Sequence, residues 1–451
     1  MAIALSRQLG DSRVIDDVDL LQTYAKDESH VAPSLPDIAL RATTESEIAL
    51  VLKLAARLGV PVVPRGAGTG KSGGAIPIFG GIVLDLSPMN QLIEIDRENL
   101  LAVVQPGMIT GVLQAAVEGA GLFYPPDPNS LETCTIGGNA AHNAGGPRAF
   151  KYGVTRNYVM ATRTSLMGGE CIQTGTHTIK RVAGYDMTSL LVGSEGTLGV
   201  FSELTLRLVT RPLHIATLLI SMPDEETAGA AIAKIVSAGL VPRVCEFLDS
   251  VLVEVLREKG VESIREGTGA LILAEIDGSD EQRVESDAMQ LAELCEAAGA
   301  VEVLMARHAG ERERLWAARR VLSDAIRVRG KFKISEDIVV TRSNASLLLA
   351  GLRDIGKRHG VLVASYGHAG DGNYHVNVLW DDPAFDCEPV VKDVFTLVWR
   401  LDGTITGEHG VGLSKKKYLP MEQSSALIAV QKSLKFAMDP LGLLNPGKIF
   451  L

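Results

Sequence analysis

The sequence predicts an α+β chain in two parts, and three observations predict it. Glycine-rich runs interrupt short strands and helices up to about residue 200. Beyond Arg211-Pro212, strand–helix–strand units recur, which argues for an antiparallel sheet covered by helices on one side. The chain has 451 residues, 46% of them hydrophobic and 22% charged, an ordinary globular mixture that can bury a sizeable core. At about 150 residues per domain the length suits roughly three units.

Composition also excludes several classes. Lys and Arg number 44 against 54 Asp and Glu, a net charge of −10. That argues against a nucleic-acid partner, which needs a basic surface, and disfavours anionic lipid. The five cysteines, at 134, 171, 245, 295 and 387, form no Cys-x-x-Cys pair. An iron–sulfur cluster or Cys-rich zinc module in this chain is therefore not expected, and a reducing cytosol suits the count. No apolar run reaches the ~18 residues of a membrane span, and Met1–Leu5 is too short for a signal core. A cytoplasmic protein is the expectation, with docking at the membrane through a partner left open.

The elements follow in order. After an N-terminal segment, 1–35, Thr44-x-x-Glu47 forms a capping box ahead of Ile48, Val51, Leu52, Ala55 and Leu58 at helical spacing. Gly59 ends that helix. Val60-Pro-Val-Val is a short strand, Ile82–Leu86 and Leu101–Val104 are strands, and Ile109–Glu118 is a helix. Tyr158–Leu166 and Cys171–Gln173 flank Gly168-Gly169 as a hairpin, and Val200–Leu208 is a strand. After the boundary come strands at 215–220, 270–276, 301–305, 361–366 and 373–379. A helix over about 280–297 puts Val284, Ala288, Leu291, Ala292 and Cys295 on one face.

Three glycine-rich runs carry the first part's chemistry. Pro64-Arg-Gly-Ala-Gly-Thr-Gly-Lys-Ser-Gly-Gly74 offers backbone N–H groups that can converge on a phosphate, with Arg65 and Lys71 as added charge or as solvent-facing cations. Its end resembles a Walker A loop, but Arg65 stands where that loop needs glycine, and Lys71 breaks a Rossmann fingerprint. The second run spans 124–146 and the third is Val192-Gly-Ser-Glu-Gly-Thr-Leu-Gly199. Three such runs suggest one long polar ligand, for which a dinucleotide has the right shape; tight turns between strands are the plain alternative.

The second part carries His368-Ala-Gly-Asp-Gly-Asn-Tyr-His375, then Asn377, then Gly403-Thr-Ile-Thr-Gly-Glu-His-Gly-Val-Gly412. His375 and Asn377 share one face of a strand, and His368 sits in a glycine loop able to fold back toward it. Two imidazoles and the Glu408 carboxylate suit a divalent cation such as zinc, manganese or iron. Leu315–Arg320 lies on a helix rich in arginine, which reads either as a solvated basic face or as an anion clamp.

The order Pro-Arg-Gly-x-Gly-Thr-Gly-x-Ser-Gly-Gly, Pro-Pro-Asp-Pro, Cys-Thr-Ile-Gly-Gly-Asn, Asn-Ala-Gly-Gly, Lys-Tyr-Gly and Gly-Ser-Glu-Gly-Thr-Leu-Gly resembles FAD-linked D-2-hydroxy-acid dehydrogenases. That group of the vanillyl-alcohol oxidase and p-cresol methylhydroxylase (PCMH) superfamily includes D-lactate and D-2-hydroxyglutarate dehydrogenases and the catalytic D subunit of glycolate oxidase. The resemblance covers about 36–450. It implies a PCMH-type FAD-binding domain of two α+β subdomains over 36–212. A substrate (cap) domain follows over 213–451, with a C-terminal helical segment that returns to the FAD domain. It assigns FAD binding to Arg65, Gly66, Ala67, Gly68, Thr69, Gly70, Lys71, Ser72, Pro126, Asp127, Ser130, Thr133, Ile136, Gly137, Gly138, Asn143, Gly146, Glu195, Gly196 and Asn445. No histidine lies between Val31 and Ala141, so the FAD is expected to be non-covalent. Two positions depart from the pattern: relatives usually carry an apolar residue at Lys71 and often an acidic one at His142.

The same resemblance implies oxidation of a small D-2-hydroxy acid, D-lactate or glycolate first and D-2-hydroxyglutarate as the alternative, to the 2-oxo acid. His368, His375 and Glu408 would hold the cation. Arg319, Ser323, Lys333, Asn377 and His409 would bind substrate. His409 would take the hydroxyl proton while hydride passes to flavin N5. The electrons then need a separate acceptor: a partner iron–sulfur subunit, an electron-transferring flavoprotein or a quinone-linked protein. A homodimer is compatible with the sequence. Two readings of other classes remain: a flavin-free metallohydrolase, which leaves the glycine runs unexplained, and a non-catalytic FAD-binding subunit, which need not have kept the histidine motifs.

Overall fold

A computed structural model describes residues 9–261, 263–306, 308–320 and 325–451. The chain forms two compact units. The first takes in the chain up to Gly145, then Gly153–Arg211 and Glu408–Leu451; the second takes in Gly146–Tyr152 and Pro212–Gly407.

The first unit holds two main sheets. β1 (Val14–Ile15), β2 (Ile38–Arg41), β3 (Val62–Arg65) and β4 (Ile82–Asp85) form one, in the order β1-β2-β4-β3, with β4 parallel to both β2 and β3. Parallel neighbours need a crossover, and α1 (Glu45–Leu58) supplies it between β2 and β3. Ile48, Val51, Leu52 and Ala55 of α1 are fully buried against Ile38, Leu40, Val62, Ile82 and Leu84. The helix starts where Thr44 Oγ1 accepts from Glu47 N at 3.2 Å and stops at left-handed Gly59. The reciprocal half of the capping box is shifted by one residue: Glu47 Oε2 accepts from Thr43 N at 2.6 Å and Thr43 Oγ1 at 3.0 Å.

The second sheet comprises β5 (Leu92–Asp96), β6 (Leu101–Val104), β8 (Val159–Ser165), β9 (Cys171–Gly175) and β10 (Val200–Arg207), in the order β5-β6-β10-β8-β9, all antiparallel. β7 (Leu122–Phe123) pairs with β11 (Val209–Thr210). The 124–146 run follows α2 (Thr110–Gly119) and contains α3 (Ile136–His142). Arg163 of β8 donates Nε (2.8 Å) and Nη2 (2.6 Å) to the Glu45 carboxylate at the head of α1, and Ser202 of β10 adds a bond of 2.7 Å. One carboxylate thus ties α1 to two strands of the second sheet.

The second unit is a seven-stranded antiparallel sheet. Its strands are β12 (His214–Met222), β13 (Val244–Leu248), β14 (Ala270–Gly278), β15 (Glu302–Met305), β16 (Phe332–Val339), β17 (Leu362–His368) and β18 (Asn373–Trp380), in the order β15-β12-β14-β13-β17-β18-β16. Four helices pack on it or on one another: α4 (Glu225–Ser237), α6 (Glu281–Ala297), α8 (Ala345–His359) and α9 (Glu388–Arg400). The expectation of helices on one side needs extending. α5 (Ser250–Glu258) and α7 (Ala309–Arg320) cover part of the other face, where Leu252, Leu256 and Leu315 cluster with Leu219, Leu271, Leu273 and Ala364. α10 (Ser425–Met438) lies in the first unit.

Candidate functional site

In the first unit the glycine runs meet. The first loop follows β3 directly, and Gly68 adopts φ +76°, with the Arg65 guanidinium so close that a Cβ there would lie 2.1 Å from Nη2. Arg65 is buried and donates to the carbonyls of Lys26 (2.8 Å) and Thr23 (3.3 Å), so its charge braces the preceding turn. Lys71 is half-exposed and pairs with Glu28 at 2.8 Å. Ala67, Thr69 and Gly70 complete the loop, and Gly66 sits where a Cβ would come 2.3 Å from Thr135 Oγ1.

The second run is shaped by backbone bonds. Pro126 O accepts from Gln114 Nε2 at 2.8 Å, and Ser130 O accepts from Thr133 N at 2.8 Å. Asp127 is buried. Ile136 N and Gly137 N donate to Met108 O and Pro106 O at 2.8 and 2.7 Å, and Gly138 N donates to Thr135 Oγ1 at 3.2 Å. Asn143 closes α3 in the left-handed region. Gly146, placed with the others by the sequence, belongs to the second unit.

The third run supports the segment that begins at Glu408. Glu195 takes φ +52°, and its carboxylate accepts from Val411 N and Gly412 N, both at 2.8 Å. Gly196 has φ +66°. Asn445 Nδ2 donates to Glu195 O (2.7 Å) and Gly74 O (3.0 Å), joining first and third runs. Lys448 Nζ donates to Ile76 O at 2.7 Å, and burial pulls its ammonium down to about 8 despite Asp27 and Glu195 nearby. Glu408 Oε2 lies against Gly145, where a Cβ would come within 3.0 Å. His409 O meets His142 Nδ1 at 3.2 Å. Ser72 Oγ, Ser194 Oγ and Asn445 Oδ1 are buried with no hydrogen-bond partner among the described residues. Buried polar atoms are almost always paired, so these three fit a long polar ligand such as FAD.

In the second unit, register builds a polar face. Glu246 lies opposite His368, Asn373 opposite His368, Tyr366 and Asp337 opposite His375, and Ser335 opposite Asn377. Opposed residues share a face, which Lys333, four before Asp337 on β16, also joins. His368 corrects the expectation of a loop residue: it is the last residue of β17. Its ring stands 5.4 Å from that of His375, centroid to centroid, at 87°. His368 Nδ1 is hydrogen-bonded to Glu246 Oε1. Asp337 accepts from Asn373 Nδ2 (2.6 Å), Thr406 Oγ1 (2.9 Å) and Gly407 N (2.9 Å). Asn377 Nδ2 donates to His375 O at 3.1 Å, and its buried Oδ1 has no hydrogen-bond partner among the described residues.

Farther along this face, Glu275 Oε1 accepts from Thr217 Oγ1 (2.8 Å) and Trp316 Nε1 (2.7 Å). The Trp316 bond fixes α7, whose last turn carries Arg319; that side chain, and Ser323 entirely, lie outside the described residues. Sequence reasoning missed Glu246, Asp337 and Trp316. The available signal was a carboxylate inside an apolar run, Val244-Cys-Glu-Phe-Leu248, since a fully buried charge needs a dedicated partner.

Comparison with known proteins covers most of the chain. Residues 36–175 match the FAD binding domain family, and residues 211–449 match the C-terminal domain of FAD linked oxidases. A glycolate oxidase subunit, GlcD, of Bacillus subtilis is 40% identical, covering 95% of this chain and 92% of its own length. A D-lactate dehydrogenase of Anaerostipes hadrus is 34% identical, covering 98% and 96%. The fold also matches that of p-cresol methylhydroxylase with a TM-score of 0.82 at 16% identity, over 99% of this chain and 96% of that one. The chain is thus an FAD-linked oxidoreductase, a member of the FAD-linked oxidase family.

Proposed function

We propose that the chain oxidises a small D-2-hydroxy acid, D-lactate or glycolate, to the 2-oxo acid and passes the electrons to a separate protein acceptor. The observation that carries this reading is the Glu246–His368 pair on the polar face. An imidazole that ligates a metal typically gives its other N–H to a carboxylate, which fixes its tautomer and orientation. His368, His375 and Glu408 are the proposed cation ligands. Bound flavin supplies the acceptor for the hydride that leaves Cα, and the cation supplies the charge that acidifies the hydroxyl. His409 takes the hydroxyl proton, an imidazole needing little tuning for that near neutral pH. Arg319 meets the carboxylate with its planar guanidinium. Ser323, Lys333 and Asn377 complete the substrate contacts.

The two relatives named above support glycolate and D-lactate, and the subunit status of one supports a partner that receives electrons. Among the described residues no helix is long and apolar enough to cross a membrane. A second reading, D-2-hydroxyglutarate, is favoured by Lys333 on the same sheet face as His375: a cation there suits a second carboxylate. The test is an anaerobic visible spectrum with each acid in turn. Bleaching of the flavin band by one D-acid, blocked by chelator and restored by metal, is the expected result and names the substrate. A flavin band that no acid bleaches overturns the substrate assignment, and no flavin after reconstitution overturns the function.

A further inference from the structure

The turn carrying Glu408 and His409 lies within the first unit, and side chains of the glycine-run segments hold its backbone. His142, the last residue of α3, places Nδ1 3.2 Å from the carbonyl oxygen of His409. A carbonyl can only accept, so Nδ1 carries the proton. The ring packs against two glycines. A Cβ at Gly74 would come 3.0 and 3.1 Å from its Cε1 and Nε2, and one at Gly410 would come 2.9 Å from Nδ1. The helix behind it is anchored in turn: Gly193 N and Glu195 N donate to Ala140 O (2.9 Å) and Ala141 O (2.8 Å). Glu195 then grips Val411 and Gly412 from the other side. The peptide between Glu408 and Gly410 is thus held at His409 O by His142 and just beyond by Glu195.

We infer that His142 is a positioning residue: its Nδ1–H, bonded to the His409 carbonyl, sets where the Glu408 carboxylate and the His409 imidazole stand. The inference deepens the proposed function and rests on it for the roles of those two side chains; the bracing itself does not.

The test uses three variants of the full-length holoenzyme. Asparagine carries its amide nitrogen where histidine carries Nδ1, and glutamine where histidine carries Nε2, so His142→Asn keeps the donor and His142→Gln moves it; His142→Leu removes it. Two readouts are taken. Hydrogen–deuterium exchange of peptides spanning 405–413 is expected to be at least fivefold faster in His142→Gln and His142→Leu than in wild type or His142→Asn. Unchanged exchange in His142→Gln and His142→Leu, or equal acceleration in all three variants, overturns the bracing. Turnover with the bleaching D-acid is expected to fall at least tenfold in kcat, with KM within threefold and flavin content unchanged, in His142→Gln and His142→Leu, and to stay within threefold in His142→Asn. Full kcat in His142→Gln despite faster exchange overturns the positioning role alone. A wild type that no D-acid bleaches overturns the proposed function, and with it the catalytic side of the inference, while the exchange result still decides the bracing.

Discussion

At the scale of single residues, His368 and its carboxylate partner make the sharpest prediction. Glu246→Gln keeps the shape but exchanges a charged acceptor for a neutral one, and outer-shell changes of this kind cost about 10–100-fold in metal affinity. Chelator competition on the purified protein measures it; affinity within twofold of wild type would remove Glu246 from the account. His409→Ala is expected to lower kcat about a hundredfold or more, the usual scale for a lost general base, with flavin content unchanged. Steady-state turnover beside the flavin absorbance checks that. The sequence made the glycine runs, the histidine pair and the shared face of His375 and Asn377 legible, because each rests on local spacing. Glu246 and Asp337 were not legible. Each reaches the face only through strand register, and Glu246 lies 122 residues from His368 in sequence.

At the scale of elements, Glu45 shows what a helix terminus can do beyond capping. The Arg163 hydrogen bonds hold its carboxyl down at about 2, below the usual carboxylate range. A depressed carboxyl contributes stability that is fully present above its unfolded value near 4.5 and is lost as pH falls through about 2. Arg163 is 42% exposed, so solvent screening limits the pair to about 1 kcal/mol. Glu45→Gln is therefore expected to be about 1 kcal/mol less stable at pH 7 in urea unfolding, and the gap should narrow as pH drops from about 4.5 toward 2. A gap that is constant with pH would contradict the ion pair as its source. Helix α1 was readable from Thr44, its apolar spacing and Gly59. β16 was not, because Lys333, Ser335 and Asp337 put polar side chains on one of its faces and disguise a strand as a charged stretch. The polar residues that line this face also hid the element that carries them.

At the scale of the whole molecule, the first unit is assembled from three stretches of chain, with the second unit's sequence interposed. The third stretch supplies Leu444, bridged to Val62 of β3, and Asn445, bonded to the first and third glycine runs. Truncation after Gly407 is expected to abolish flavin retention, read from absorbance after desalting, while the 212–407 sheet keeps its circular dichroism. A truncated protein that stays yellow would show that 408–451 is dispensable for the cofactor. The excursion of Gly146–Tyr152 into the second unit was not visible in the sequence, since it depends on Lys151 and Tyr152 reaching Asp277 of β14. The three-piece construction also sets a schedule for birth on the ribosome. The seven-stranded sheet can close once residue 407 has emerged, whereas the flavin cradle must wait, with all three of its glycine runs already made, until 408–451 arrives to finish it.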